Sequence, residues 1–361
     1  MYCFLSTAFF AYLASRSKNK GVIILCSAIC ILIPALMGGF RRYNIGTDSG
    51  GYGIGISRHA MESRSFSEFG YTGVEPGCRI LFYYGVKMWG DYTGAFLLFQ
   101  LLTMTCIYIG AYRHRKLTSL AFIMLIFMLH FYNRTFNEIR QGTAAAIIFM
   151  GISYLESKHY LKFALHIAAA TCFHYSAVVT FPLLLGVHAI TTSRIYQKNR
   201  TFKLAFLYGV IVFLFLTRPA LMSIITRIPF LTKYVYLFDP KYDNINVLTI
   251  EYLGELIMFL CYGTIGRKIL DGVLGEGNYN FYEFSIIFYL AFNFGVQFFD
   301  RMLFYNEWMN IFLVSTLPRF VKDKNLKILV TMAVIITSFV YWYRMFVYIS
   351  VFATYPYKSI F

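Results

Sequence analysis

Charge is scarce in this chain, and acid is its scarcest part. Only 14% of the 361 residues are charged, and 17 acidic side chains stand against 33 basic ones, a formal net charge of +16. A chain that is 58% hydrophobic and 20% aromatic, with a mean hydropathy of +0.58, is built for lipid, where charge is costly and is retained mainly for function. Other absences narrow the field. The seven cysteines form no CxxC pair and no Cys/His ligand spacing, so neither a disulfide framework nor a zinc site is supported. Cys26 and Cys30 share a helix face, as packing residues do. No acidic cluster of the DxD type is present to hold a metal, and no cofactor is expected. The glycine-rich run Ser49-Gly50-Gly51-Tyr52-Gly53-Ile54-Gly55 has no strand before it, so it reads as a flexible loop and not as a nucleotide fingerprint. No clear internal repeat appears.

What is present is a succession of apolar runs with almost no soluble sequence between them. They cover approximately 2–15, 21–39, 77–112, 117–132, 139–155, 160–173, 175–190, 202–217, 249–266, 281–298, 307–320 and 326–346. The fold expected is a single all-α polytopic membrane domain over 1–361, with roughly 11 to 13 transmembrane helices at ~20 residues each. Met1 to Ser15 lacks a basic n-region and a cleavage site, and reads as a retained helix. The positive charge belongs to cytoplasmic loops, and no nucleic acid partner is implied.

Basic clusters set the topology. They are Arg16/Lys18/Lys20, Arg113/Arg115/Lys116, Lys158/Lys162, Arg194/Lys198/Arg200/Lys203, Arg267/Lys268 and Lys322/Lys324/Lys327. They alternate correctly if 160–190 contains two short crossings meeting near His174. They also require one net crossing from 77–112, so that 77–89 lies in the interface or re-enters while 92–112 crosses, with the break at Gly90-Asp91. The outer face then carries a 40–76 loop, the Asn133–Arg140 turn, the His174 turn, a 218–248 loop, the Phe299–Asn306 turn and the C-terminal tail.

Nearly all the unusual polar residues fall on that face. Arg41, Arg42 and Asp48 follow the apolar run ending at Phe40. The arginines suit bidentate phosphate binding and Asp48 suits an arginine partner or proton acceptor; snorkelling arginines with a turn-forming Asp48 are the plainer alternative. Glu75 precedes Pro76, as a turn residue or a second outer carboxylate. Arg140 opens an alanine-rich helix, whose N-terminal end favours anions, or else pairs with Glu138. His174 sits at a hairpin, as a proton carrier, a pyrophosphate donor or a structural residue. Asp300-Arg301 is an ion pair or a phosphate-binding arginine with its carboxylate. Arg218, Arg227, Lys233 and Lys241 give the 218–248 loop an outer positive charge that runs against the usual bias and favours an anionic ligand. The aromatics around them suit sugar stacking or an interfacial belt.

Arg42-(x)3-Gly46-Thr47-Asp48, Glu75-Pro76-Gly77, Ile139-Arg140-Gln141, Phe173-His174-x-Ser176-Ala177, Asp300-Arg301 with Tyr305, and Tyr355-Pro356-Tyr357 together resemble the EpsG family. These are polytopic proteins of bacterial exopolysaccharide and O-antigen clusters, similar to Wzy-type polymerases. The resemblance implies a glycosyltransferase of the cytoplasmic membrane, acting at its outer face on a polyprenyl-diphosphate-linked oligosaccharide within membrane lipid, with a chain-length regulator protein as a partner. It implies Asp48, His174 or Glu75 as base, and Arg41, Arg42, Arg140 and Arg301 on the diphosphate. Thr47, Gln141, Asp300, Tyr305, Arg227 and Tyr357 would position substrate, without metal. A GT-C-like fold follows by analogy. The other classes in view are a flippase or transporter of lipid-linked oligosaccharide and a ligase-like transferase.

Overall fold

Helix α5 (Tyr92–Arg113) is the hub of the N-terminal region. It packs against α2 (Lys20–Gly39), α4 (Pro76–Trp89) and α8 (Ile139–Glu156). The computed structural model describes residues 1–70, 73–199, 281–282, 304–361 and scattered positions between 202 and 235. Around α5, α1 (Tyr2–Arg16) pairs with α2, and α6 (Leu120–His130) lies on α1. Of the remaining helices here, α9 (Tyr160–Thr171) lies on α8, and a C-terminal helix over Lys324–Trp342 lies on α6. Burial follows this order. The apolar window of α5 is 67% buried, against 28% for α2 and 17% for the span Lys324–Tyr348. These three are long and apolar enough to cross a membrane, and the chain is an all-α membrane protein. Among the described residues the only β-type pairing is one isolated bridge.

Small residues let the helices approach closely, which is how helices associate when lipid is as apolar as leucine. A Cβ at Gly38 would lie 2.6 Å from the Gln100 side chain, and one at Gly110 2.6 Å from Phe149. The run Gly142–Ala146 on α8 is buried throughout. Some polar side chains inside pair across helices: Gln100 Nε2 donates to the Thr135 carbonyl at 3.2 Å, and Thr103 and Thr143 hydroxyls meet at 2.9 Å.

The stretch 77–112 resolves into two helices. Gly90 takes φ +87 as the cap of α4, and Asp91 caps α5 by accepting from the Thr93 N–H at 2.8 Å. At 14 residues α4 is about 21 Å long, short of a full crossing. It runs back along α5, with Phe82 on Phe99 at 5.1 Å. The stretch 160–190 divides at 172–176 into α9 and α10 (Ala177–Thr191).

Two expectations are corrected. The glycine-rich run after Asp48 is no flexible loop: Ser49–Gly53 is a π-helical turn leading into α3 (Ile54–Glu62). Its start is anchored by the Ser49 hydroxyl on the Phe136 carbonyl, and α3 buries Ile56 and Ala60 with Phe69, Phe82, Phe96 and Phe99 in an aromatic core. The 218–248 segment is not loop throughout, because its described positions between 219 and 227 are helical.

Where the sequence suggests one domain, the chain forms two compact units, Met1–Val178 with Val314–Phe361, and Val179–Leu313. In the second, His188 is buried against Phe281 at 5.7 Å, and Tyr282 meets Phe312 at 6.3 Å, edge to face.

Candidate functional site

Helix α2 stops at Gly39, and the chain that follows is held by the C-terminal tail. Ile360 N–H donates to the Phe40 carbonyl at 2.9 Å, Arg42 N–H to the Lys358 carbonyl at 2.9 Å, and Gly46 N–H to the Ala353 carbonyl at 3.3 Å. Arg41 and Ser359 form an antiparallel bridge. This pairing turns consecutive side chains to opposite sides, as a strand does. Arg41 goes inward and Arg42 outward.

Arg41 is fully buried. Its guanidinium donates to the Gly38 carbonyl, to Ser49 Oγ at 3.3 Å and to the Phe136 carbonyl at 3.1 Å. It lies 4.2 Å from the Phe96 ring centroid and 5.1 Å from that of Phe136. Neither phosphate binding nor snorkelling describes this residue. It is an internal cation that staples α2, α5 and the 133–137 turn together. Arg42 is exposed, with Nε on the Ser359 carbonyl at 3.0 Å. Tyr357, expected at substrate, instead donates its hydroxyl to the Met37 carbonyl at 2.8 Å, and burial pushes its phenol up in pKa.

The Gly46-Thr47-Asp48 turn rests on the backbone of Phe136 and Asn137. Gly46 has φ +94, and a Cβ there would lie 2.6 Å from the Phe136 carbonyl oxygen, so glycine is required twice over. Asn137 Oδ1 accepts from the Thr47 hydroxyl at 2.8 Å and from the Asp48 N–H at 2.7 Å. Thr47 and Asp48 themselves are exposed.

A second group forms around Glu75. Arg140 Nη1 donates to Glu75 Oε2 at 2.7 Å, and Tyr175 N–H reaches Oε1 at 3.4 Å. Glu75 is therefore an arginine partner and not a bare carboxylate, and Glu138 pairs with Arg134 at 3.2 Å. The Glu75 side chain is 5% exposed and that of Arg140 25%. The α4 start is seated on the His174 turn: Gly77 N–H donates to the Cys172 carbonyl at 2.8 Å, and Cys78 Sγ to that of Phe173 at 3.1 Å. His174 Nδ1 and the Ser176 hydroxyl share a hydrogen bond at 2.7 Å. Phe173 meets Phe99 at 6.4 Å. Phe99 is seven residues into α5, so this group lies about 10 Å along that helix from its N-terminal end.

The structure thus gathers Glu75, Arg140 and His174 in one group and Arg41, Arg42, Thr47 and Asp48 in another, joined through the short segment 136–140. Gln141 is buried on α8. Arg227, exposed, and Tyr305, buried against Phe304, belong to the second unit. Asp300 and Arg301 lie outside the described residues. Among the described residues no group of three or more metal-ligating side chains forms. Sequence reasoning gave Asn137 no role and did not foresee that the tail pairs with 40–46. A buried amide in a span-rich chain was the available signal for the first; nothing local marked the tail pairing.

No curated protein and no solved structure matches this chain. The EpsG family model matches residues 22–359, nearly the whole length, and the protein belongs to the EpsG family, membrane proteins of the polysaccharide-polymerase type.

Proposed function

We propose that this protein polymerises glycan at the outer face of the cytoplasmic membrane, moving a growing chain from polyprenyl diphosphate to the terminal sugar of a lipid-linked repeat unit. The observation that carries the reading is the Glu75–Arg140 pair, a cation fixed by a buried carboxylate at 2.7 Å yet still bordering the surface, beside the His174 turn. Such a guanidinium is preorganised for charge that grows on a leaving diphosphate.

In the step itself the acceptor hydroxyl oxygen bonds to the anomeric carbon of the donor sugar. The bond from that carbon to the diphosphate oxygen breaks, and the lipid diphosphate leaves with the electron pair. The hydroxyl proton passes to a base. Asp48 and His174 are the two bases this structure favours, since Glu75 already has both oxygens engaged. Arg42, pointed outward by the tail pairing, is the second diphosphate ligand. A chain-length regulator would meet the same outer face.

The test is reconstitution of the purified protein in vesicles with lipid-linked repeat units. Wild type is expected to produce a ladder of long chains with release of lipid diphosphate. Asp48→Ala at equal protein level is expected to leave single repeats. Failure of wild type to extend any repeat, with repeats instead moved across the bilayer, would replace the polymerase with a transporter.

A further inference from the structure

We infer that Asn137 is a positioning residue for the Gly46-Thr47-Asp48 turn, setting Asp48 relative to Arg140. The inference rests on the polymerase reading above and adds a residue to it.

Asn137 is 5% exposed, at the end of the single helical turn Arg134–Asn137 (α7). Its one carbonyl oxygen accepts two hydrogen bonds, from the Thr47 hydroxyl at 2.8 Å and from the Asp48 backbone at 2.7 Å. Both donors belong to exposed residues, so a buried acceptor fixes the position of a surface turn. The adjoining carbonyl of Phe136 accepts from Arg41 and from the Ser49 hydroxyl, the latter at 2.6 Å. Two consecutive residues therefore hold the turn from Arg41 to Ser49.

The same segment leads directly into α8. Glu138, with ψ +50, breaks the helix between α7 and α8 and is held to Arg134 by two hydrogen bonds. Arg140 follows at the second position of α8. Any displacement of Asn137 thus changes the spacing between the Asp48 turn and the Arg140–Glu75 pair. A base and an anion-binding arginine must be held to within a fraction of an ångström for in-line transfer, and misplacement by about 1 Å can cost on the order of 100-fold in rate. Asparagine suits the role because its one side-chain oxygen accepts twice.

Substitution separates placement from bulk. Asn137→Asp keeps an accepting oxygen in the same position; Asn137→Ala and Asn137→Leu remove it. In reconstituted vesicles, Asn137→Ala is expected to lower kcat for chain extension by at least about tenfold with KM for the lipid-linked repeat within about twofold of wild type. Asn137→Asp is expected to recover most of that kcat. Thr47→Val, which removes one of the two donors, is expected to fall between them. A general structural defect would lower protein level and move both constants in all four variants. Hydrogen exchange of the peptide containing Asp48 provides a readout that needs no activity: protection is expected to drop in Asn137→Ala and to persist in Asn137→Asp. Wild-type kcat in Asn137→Ala, or an Asn137→Asp as poor as Asn137→Ala in both readouts, would overturn the inference. Loss of protection in Asn137→Ala together with an inactive wild type would instead overturn the polymerase reading and leave the positioning role standing.

Discussion

Two carboxylates, each paired with a cationic side chain, differ in what surrounds them. At the C-terminal ends of α5 and α8, His114 bridges the Gly110 carbonyl at 2.7 Å and Glu156 at 2.9 Å. Both ring nitrogens face oxygens, an arrangement that favours the protonated ring. Beside it Arg113 donates to the Met150 carbonyl at 2.8 Å and to the Tyr154 hydroxyl at 3.0 Å. The His114 side chain is 3% exposed and that of Glu156 13%. In the second pair, Glu75 is as deeply buried as His114, but its partner Arg140 keeps 25% of its side chain exposed. The first knot is closed and binds two helices. The second keeps its cation partly at the surface. The adjacent arginines repeat the contrast: Arg41 is sealed under two phenyl rings, while Arg42 faces outward.

Breaking the open pair has the largest expected effect on chemistry. Arg140→Ala should cut the rate of chain extension by about 100- to 1000-fold, or roughly 2.7–4 kcal/mol of transition-state stabilisation, as for loss of one preorganised donor. Extension kinetics in vesicles checks it. Arg140→Lys should recover little, because a lysine cannot offer the fork that engages carboxylate and phosphate together.

Breaking the sealed arginine should move stability instead. Arg41→Ala leaves the Gly38 and Phe136 carbonyls without this donor and opens a void between Phe96 and Phe136. A loss on the order of 3 kcal/mol is expected, read as lower abundance and a lower Tm in detergent. Normal stability with lost extension would return Arg41 to the list of substrate ligands.

The closed knot sharpens the comparison through pH. Burial pushes the His114 pKa down, but the Glu156 charge and the hydrogen bonds from Glu156 and Gly110 outweigh it, and the net shift is upward from 6.5. A pKa raised on folding gives stability that is full below the unfolded value and is lost as pH rises through the folded one. The stability gap between wild type and Glu156→Gln should therefore be about 1–3 kcal/mol below about pH 6.5 and should narrow as pH rises above it. Unfolding at several pH values tests this; a gap that widens with pH would exclude a charged His114.

The smallest effect belongs to the tail. Ile360→Pro removes the one N–H that reaches the Phe40 carbonyl, at about 1 kcal/mol, while Ile360→Ala keeps it. Extension should weaken in the proline variant alone.

Much of this was legible beforehand. The helical character of the described apolar runs, the divided 160–190 stretch and the break at Gly90-Asp91 follow from hydropathy, charge parity and turn chemistry, all of which are local. The clusters at Glu75, Arg140 and His174 could be put on one face by topology alone, but not joined. Glu138 lies closer in sequence to Arg140 than Glu75 does, yet the pair forms across 65 residues because α4 folds back along α5 and brings Glu75 down to the start of α8. The glycine run was misread because its anchors, Phe136 and Asn137, are remote in sequence.

Hydropathy is a sum over neighbouring residues, so the sequence by itself determined an all-α membrane protein. Its motif set across most of the length determined the family. Which arginine turns inward was decided only in three dimensions. Arg41 reaches a carbonyl 95 residues away and Arg42 one 317 residues away. Two identical side chains side by side carry no local signal to tell them apart; the tail pairing that assigns their directions exists only once the two ends of the chain have met.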